Sequence, residues 1–180
     1  MVLDLGVSGA LYRDALVFYD RETGSYWSQV TGEALRGPLA GKKLPEIPSV
    51  VTSWAEWKKA HPDTLVLRAD PGQRRSPYAD YLSDPDKLGV LGTRNPDARL
   101  PGKTWVWGIA TRKEAVAVLE ERVREEPREL RVGDLTLRVR RKGERLVFAP
   151  EGSITPRRVY WYVWARFHPG SRLWPEERPR

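Results

Sequence analysis

Two stretches of this chain concentrate the residue types best suited to chemistry or recognition. The first is Trp54, Trp57, His61 and Pro62, which recurs 107 positions later as Trp161, Trp164, His168 and Pro169, and these are the sequence's two histidines. An imidazole can ligate a metal or carry a proton. His61 and His168, with Asp63 as carboxylate partner, therefore make a candidate set for zinc or iron if the two copies meet in space. The competing reading is packing: each His ends a helix while its Trp face lies in the core. The second stretch is Asp20, Arg21, Trp27, Ser28 and Gln29. A large aromatic beside short polar side chains suits a ligand pocket, where apolar area supplies affinity and a few polar groups fix orientation. The same residues also suit a hairpin end, with Asp20 and Arg21 paired and Trp27 covering the core.

Other chemistries find less support. The chain has no cysteine, which excludes disulfides, thiolate nucleophiles and thiolate metal sites. A Ser–His nucleophile has no favoured partner, and the carboxylates Asp20, Glu22, Asp63 and Asp80 need geometry before they can be paired. Gly37–Gly41 superficially resembles a phosphate loop, but three residues rather than four separate the glycines and Lys42 precedes Lys43 rather than Ser or Thr. Arg138, Arg140, Arg141, Lys142 and Arg145, with Arg157 and Arg158, could contact nucleic-acid phosphates or form the solvated side of an amphipathic hairpin. The net charge of +7 is weak support for the former. Arg (23) far exceeds Lys (8), and one Met, one Asn, two Gln and fifteen Pro together resemble a thermophile's composition.

The elements that must position these residues read as mainly β. Leu3 to Tyr19 alternates as a hairpin bounded by Asp20–Gly24. Ser53 and Glu56 fit a capping box opening a short helix to Ala60, which puts Trp54, Trp57 and His61 on one face and stops before Pro62. Leu65–Leu67 reads as a strand, Trp105–Ala110 and Ala115–Val118 as a hairpin, and Leu119–Glu126 as a short helix. Leu130–Val139 reads as a hairpin around Gly133–Asp134, with Leu135, Leu137 and Val139 inward. Leu146–Phe148 repeats the Leu16–Phe18 strand. Val159–Trp164 has strand composition, but the repeat, with Thr155 and Pro156 as start signals, predicts a helix. The whole is expected to be one α+β domain, mainly β, spanning 1–180. Two related strand–hairpin–helix halves, about 1–70 and 104–175, are joined by a loop-rich connection, 70–103. The first half carries about 23 extra residues, roughly Gly24 to Ile47, and lacks a counterpart of Trp105–Glu126.

Several of these stretches also match a known family. Gly6–Gly9 with Leu11–Tyr12, Tyr19–Ser25 with Trp27–Gln29, and Gly37–Gly41 resemble the prokaryotic family catalogued as domain of unknown function 3179. So do Trp54 with His61–Thr64, Pro77–Tyr78 with Tyr81, Arg99–Pro101 with Lys103, and the Trp164 to Pro169 ending. Members of that family usually carry a Cys-Pro-x-Cys segment ahead of the region matched here. This chain has no cysteine, so no thiol or metal chemistry transfers to it. The resemblance hints at an extracytoplasmic location, although the N-terminus shows no signal peptide, and no apolar run approaches the roughly 20 residues that span a bilayer.

The expected function is a non-catalytic ligand-binding or structural module with its site at the Asp20–Gln29 loop and an unidentified small ligand or protein as partner. The alternatives are a metal- or redox-associated enzyme whose reactive segment lies outside this chain, and nucleic-acid binding through the basic surface. The cofactor is unknown.

Overall fold

The computed structural model describes residues 1–47, 49–68, 76, 78–150 and 154–176. Eleven strands and three short helices are named among them. Strands β1 (Leu5–Tyr12), β2 (Ala15–Asp20), β3 (Tyr26–Ser28) and β4 (Ala34–Arg36) form an antiparallel meander. Helix α1 (Trp54–Ala60) and helix α2 (Ala79–Ser83) follow. Strands β5 (Trp105–Ala110) and β6 (Ala115–Leu119) form the centre of a second sheet, flanked by β10 (Arg157–Tyr160) on one edge and β11 (Arg172–Trp174) on the other. Strands β7 (Arg128–Val132), β8 (Leu135–Lys142) and β9 (Arg145–Ala149) make a third sheet, and helix α3 (Trp161–Phe167) crosses from β10 to β11. The mainly β, α+β class read from the sequence is what the chain adopts.

The layers follow from which faces are apolar. Trp107, Ile109, Val116 and Val118 on one face of the second sheet pack on Leu130, Leu137, Val139 and Phe148 of the third. On its opposite face, Val106, Ala117 and Leu119 pack on Trp161 and Trp164 of α3. The far side of α3, Tyr162, Val163 and Phe167, meets Ala15 and Val30 of the meander region together with Leu88. A helix with six of seven residues buried must be apolar nearly all round, and Trp-Tyr-Val-Trp-Ala-Arg-Phe is, apart from Arg166. Trp164 lies flat on β5 because residue 108 is glycine: a Cβ there would stand 2.2 Å from the indole.

The 70–103 connection includes α2, and its described part closes over α3 rather than acting as a bare linker. Leu88 and Leu100 are buried. Trp161 Nε1 donates to the Asp97 carbonyl at 2.8 Å, and the hydroxyls of Tyr81 and Tyr162 are 3.1 Å apart.

Three element readings are corrected. Val159 and Tyr160 are strand, because β10 pairs with β5 and the helix starts only at Trp161, so Thr155 and Pro156 cap nothing. Leu65–Leu67 form no strand: their side chains are 96%, 67% and 95% exposed, without a sheet to join. The helix expected over Leu119–Glu126 shrinks to one 3-10 turn, Glu120–Arg122, since Leu119 is taken by β6. The Leu146–Phe148 strand exists, but its phase is opposite to the earlier one: Leu146 and Phe148 are buried around a half-buried Val147, whereas Val17 is buried between half-buried neighbours.

Candidate functional site

The Asp20–Gln29 stretch folds into a hydrogen-bonded corner at the end of β2. Asp20 is fully buried. Its Oδ1 accepts the Thr23 backbone N–H at 2.5 Å and the Thr23 hydroxyl at 2.7 Å, and its Oδ2 accepts Trp27 Nε1 at 2.8 Å. Ser25 extends the network, its Oγ 2.7 Å from Thr23 Oγ1 and accepting the Leu39 N–H at 3.0 Å. Burial pushes the Asp20 carboxyl up, but the Trp27 and Thr23 hydrogen bonds outweigh it and hold the group below the ordinary carboxylate range. Trp27 is buried, and Ser28 Oγ accepts the Thr31 N–H at 3.2 Å. Arg21 turns outward to Asp4, at 3.1 Å, and to the Tyr19 hydroxyl, at 2.8 Å, instead of pairing with Asp20. Of the five residues singled out, Gln29 lines the cavity along β10.

The two Trp–His motifs have the same local geometry. His61 and His168 are C-caps with φ/ψ of −133/71 and −132/71, each donating its N–H to the carbonyl of the Trp four residues earlier. Trp57–His61 and Trp164–His168 ring centroids are each 4.1 Å apart. Trp57 Nε1 donates to Thr64 Oγ1 at 2.9 Å, and Trp164 Nε1 to Ser171 Oγ at 3.0 Å. Burial, with Arg157 and Arg13 nearby, lowers the His168 pKa and favours neutral imidazole. Among the described residues no three His, Cys, Asp or Glu side chains cluster as metal ligands would, so His61, Asp63 and His168 are not brought into one such group.

A cavity lies elsewhere, along the free edge of β10. It is a cavity of about 470 Å³ between that edge and the β2–β3 side, with Asp14, Leu16, Gln29 and Val30 on one wall and Trp105, Arg157, Arg158 and Tyr160 on the other. The Trp105 and Tyr160 rings lie 4.0 Å apart, and the Arg158 guanidinium sits 4.2 Å over Trp105. Arg158 also reaches Glu120 Oε2 at 3.0 Å, an atom that accepts Trp107 Nε1 at 3.0 Å as well. Arg157 pairs with Glu46, which Lys43 joins at 3.1 Å. Burial opposes the Glu46 charge, but Lys43 and Arg157 prevail and keep its carboxyl below its usual range.

The sequence carries the strand composition of Val159–Tyr160 and the aromatic alternation of Trp105 and Trp107. That these two segments would pair and bring Tyr160 against Trp105 depends on register across some fifty residues. Sequence reading also missed the Arg13–Asp14 turn, where both residues have positive φ, 52° and 63°, in a position that usually takes Asn or Gly. Its docking on α3 offsets that strain: Arg13 donates to the Arg166 carbonyl at 3.2 Å, and Asp14 pairs with Arg166 at 2.5 Å.

The basic run divides by face. Arg138 and Arg140 are exposed on β8, whereas Arg141 donates to the carbonyls of Val123 and Glu120, tying the loop before β7 to the sheet. No helix among the described residues is long and apolar enough to cross a membrane.

Among known proteins, no curated sequence and no solved structure matches this chain. One family model does, over residues 1–158, a span that takes in the Asp20 corner and the first two residues of β10 and ends before α3. The chain therefore belongs to the family of proteins of unknown function DUF3179.

Proposed function

We propose that this chain is a non-catalytic binding module, and that its ligand site is the cleft along β10, which the Asp20–Gln29 stretch reaches through Gln29. The observation that carries this reading is the juxtaposition of a close, tilted Trp105–Tyr160 ring pair with two arginines in one cavity of drug-ligand size. The ring pair offers an apolar aromatic surface, and Arg157 and Arg158 offer charge to an anion. The ligand class is thus a small anion with a planar apolar part. Binding draws Arg157 from Glu46, and Gln29 is the polar group on the facing wall.

Titration calorimetry with phenyl phosphate tests the reading, with inorganic phosphate and phenol as controls. Saturable binding is expected for phenyl phosphate, weaker for either fragment. Trp105→Ala and Arg158→Ala should each weaken it about tenfold, the scale of one cation–π or charge-assisted contact. Binding that ignores both substitutions, or no saturable binding, contradicts the reading.

We further infer that residues 1–180 fold as one domain, and that the two Trp–Trp–His–Pro units arose by duplication of a local strand–helix–strand unit. Their matching caps, ring contacts and indole hydrogen bonds support this, while the opposite phase of the two Leu-Val-Phe strands confines it to about 50–67 and 157–174. An alignment of family members tests it: positions 50–67 and 157–174 should resemble one another beyond the four identities. A resemblance limited to those four sinks it.

A further inference from the structure

The cavity along β10 adjoins a second one. Ser49, Val51, Trp107 and Pro156 line both. The second has a volume of about 430 Å³ and lies between Val50, Val51 and Trp57 on one side and Trp107, Leu146 and Phe148 on the other. Its floor belongs to the core: Trp107, Leu146 and Phe148 are buried, and the Trp107 and Phe148 rings are 5.8 Å apart. Trp105 and Trp107 share one face of β5, with Tyr160 and Arg158 opposite them on β10. An aromatic path therefore runs from the Trp105–Tyr160 pair past Trp107 to Phe148.

The two cavities differ in chemistry. Arg157 and Arg158 stand in the wall of the first. In the second, the two indole N–H groups are already engaged, Trp107 Nε1 with Glu120 and Trp57 Nε1 with Thr64, so both rings offer apolar surface alone. Ser49 and Arg145 are the other polar side chains of its described lining. Water there finds few partners, whereas an apolar chain gains contacts on both sides. Val51 and Trp57 are 50% and 38% exposed, so the segment leading into α1 spans the apolar floor without closing onto it. Helix α1 is set in that position against the β8–β9 turn, where a Cβ on Gly143 would stand 2.8 Å from Glu56 Oε1.

We propose that the second cavity takes the aliphatic chain of the ligand whose planar, anionic head lies along β10. The ligand class is then an amphiphile, an acidic ring-bearing head with an unbranched apolar tail, and the Ser49–Val51 segment crosses it where head and tail join. This inference rests on the β10 cleft being a ligand site.

Calorimetry with phenyl, para-ethylphenyl and para-butylphenyl phosphate separates the two claims. Phenyl phosphate alone reads the β10 cleft, and the increments along the series read the second cavity. Each added methylene should tighten binding about fourfold, the transfer free energy of one buried CH₂ group. Trp57→Ala and Val50→Glu should cut that gain to about twofold or less per methylene while leaving phenyl phosphate affinity unchanged. Both side chains are exposed, so neither change disturbs the core. Phenyl phosphate that binds with no gain from the added chain overturns the inference and leaves the β10 reading standing. A gain of equal size in both variants overturns it too, since the chain then lies elsewhere. Absence of binding across the whole series overturns both readings.

Discussion

Asp20 is a structural anion: its acceptor positions are filled by the chain's own donors, and the tryptophan that looks like a binding platform is one of them. Asp20→Asn keeps the size but puts an N–H donor where an acceptor is needed, so it should lower the melting temperature at neutral pH. The folded pKa is depressed, so the contribution is present above the unfolded value, about 4, and is lost as pH falls through the folded one. The variant should therefore have a shallower acid limb below about pH 4; an unchanged limb would argue against the network. His168 is the histidine case of the same sign. Its folded pKa lies below the ordinary value, so protonation is disfavoured in the fold, and stability declines as pH drops from about 6.5. Imidazole shifts followed by NMR should place the His168 midpoint below that of an unperturbed histidine, and a midpoint at or above it contradicts the packing described.

Helices α1 and α3 show how far local sequence reaches. Ser53 caps α1 as its type predicts, accepting the Glu56 N–H at 3.3 Å, but Glu56 completes only half the box because its carboxylate takes the Thr52 hydroxyl at 2.9 Å. The one-face Trp–Trp–His spacing, the proline stop and the hairpins within 3–19, 105–118 and 130–139 were legible because period and turn chemistry are local, whereas β3, β4 and β11 were not read. What lay beyond reach was pairing. Tyr160 is strand because β5 supplies a partner, whereas Leu65–Leu67 have similar composition and none. The Asp20 corner was legible as a polar-aromatic cluster but not as a self-satisfied one, since Ser25 and Leu39 close it through the turn at Gly37. Gly108 is the sharpest test at this scale. Gly108→Ala should cost about 2–3 kcal/mol in urea unfolding with an unaltered m-value, as overpacking beneath a fixed indole does. A change under about 0.5 kcal/mol would mean that Trp164 does not rest on β5.

As a whole, the molecule is a stack of sheet, sheet, helix and sheet in which α3 contributes to two of the three apolar clusters. Glu114 crosses between layers, accepting the Gly133 N–H at 2.8 Å and Arg172 Nε at 2.8 Å, so the β5–β6 turn, the β7–β8 turn and β11 are held together. With α3 shared in this way, near-UV and far-UV circular dichroism should report one coincident unfolding transition, and separated midpoints would divide the chain into independent parts. The cleft along β10 exists because the meander and the second sheet meet on α3 without closing at that edge, leaving Gln29 opposite the Trp105–Tyr160 pair. A crystal structure with phenyl phosphate tests that account most directly. The account predicts the ring against Trp105, with the phosphate at Arg157 and Arg158. A ring bound elsewhere, or a cleft that stays empty at saturating ligand, would contradict it.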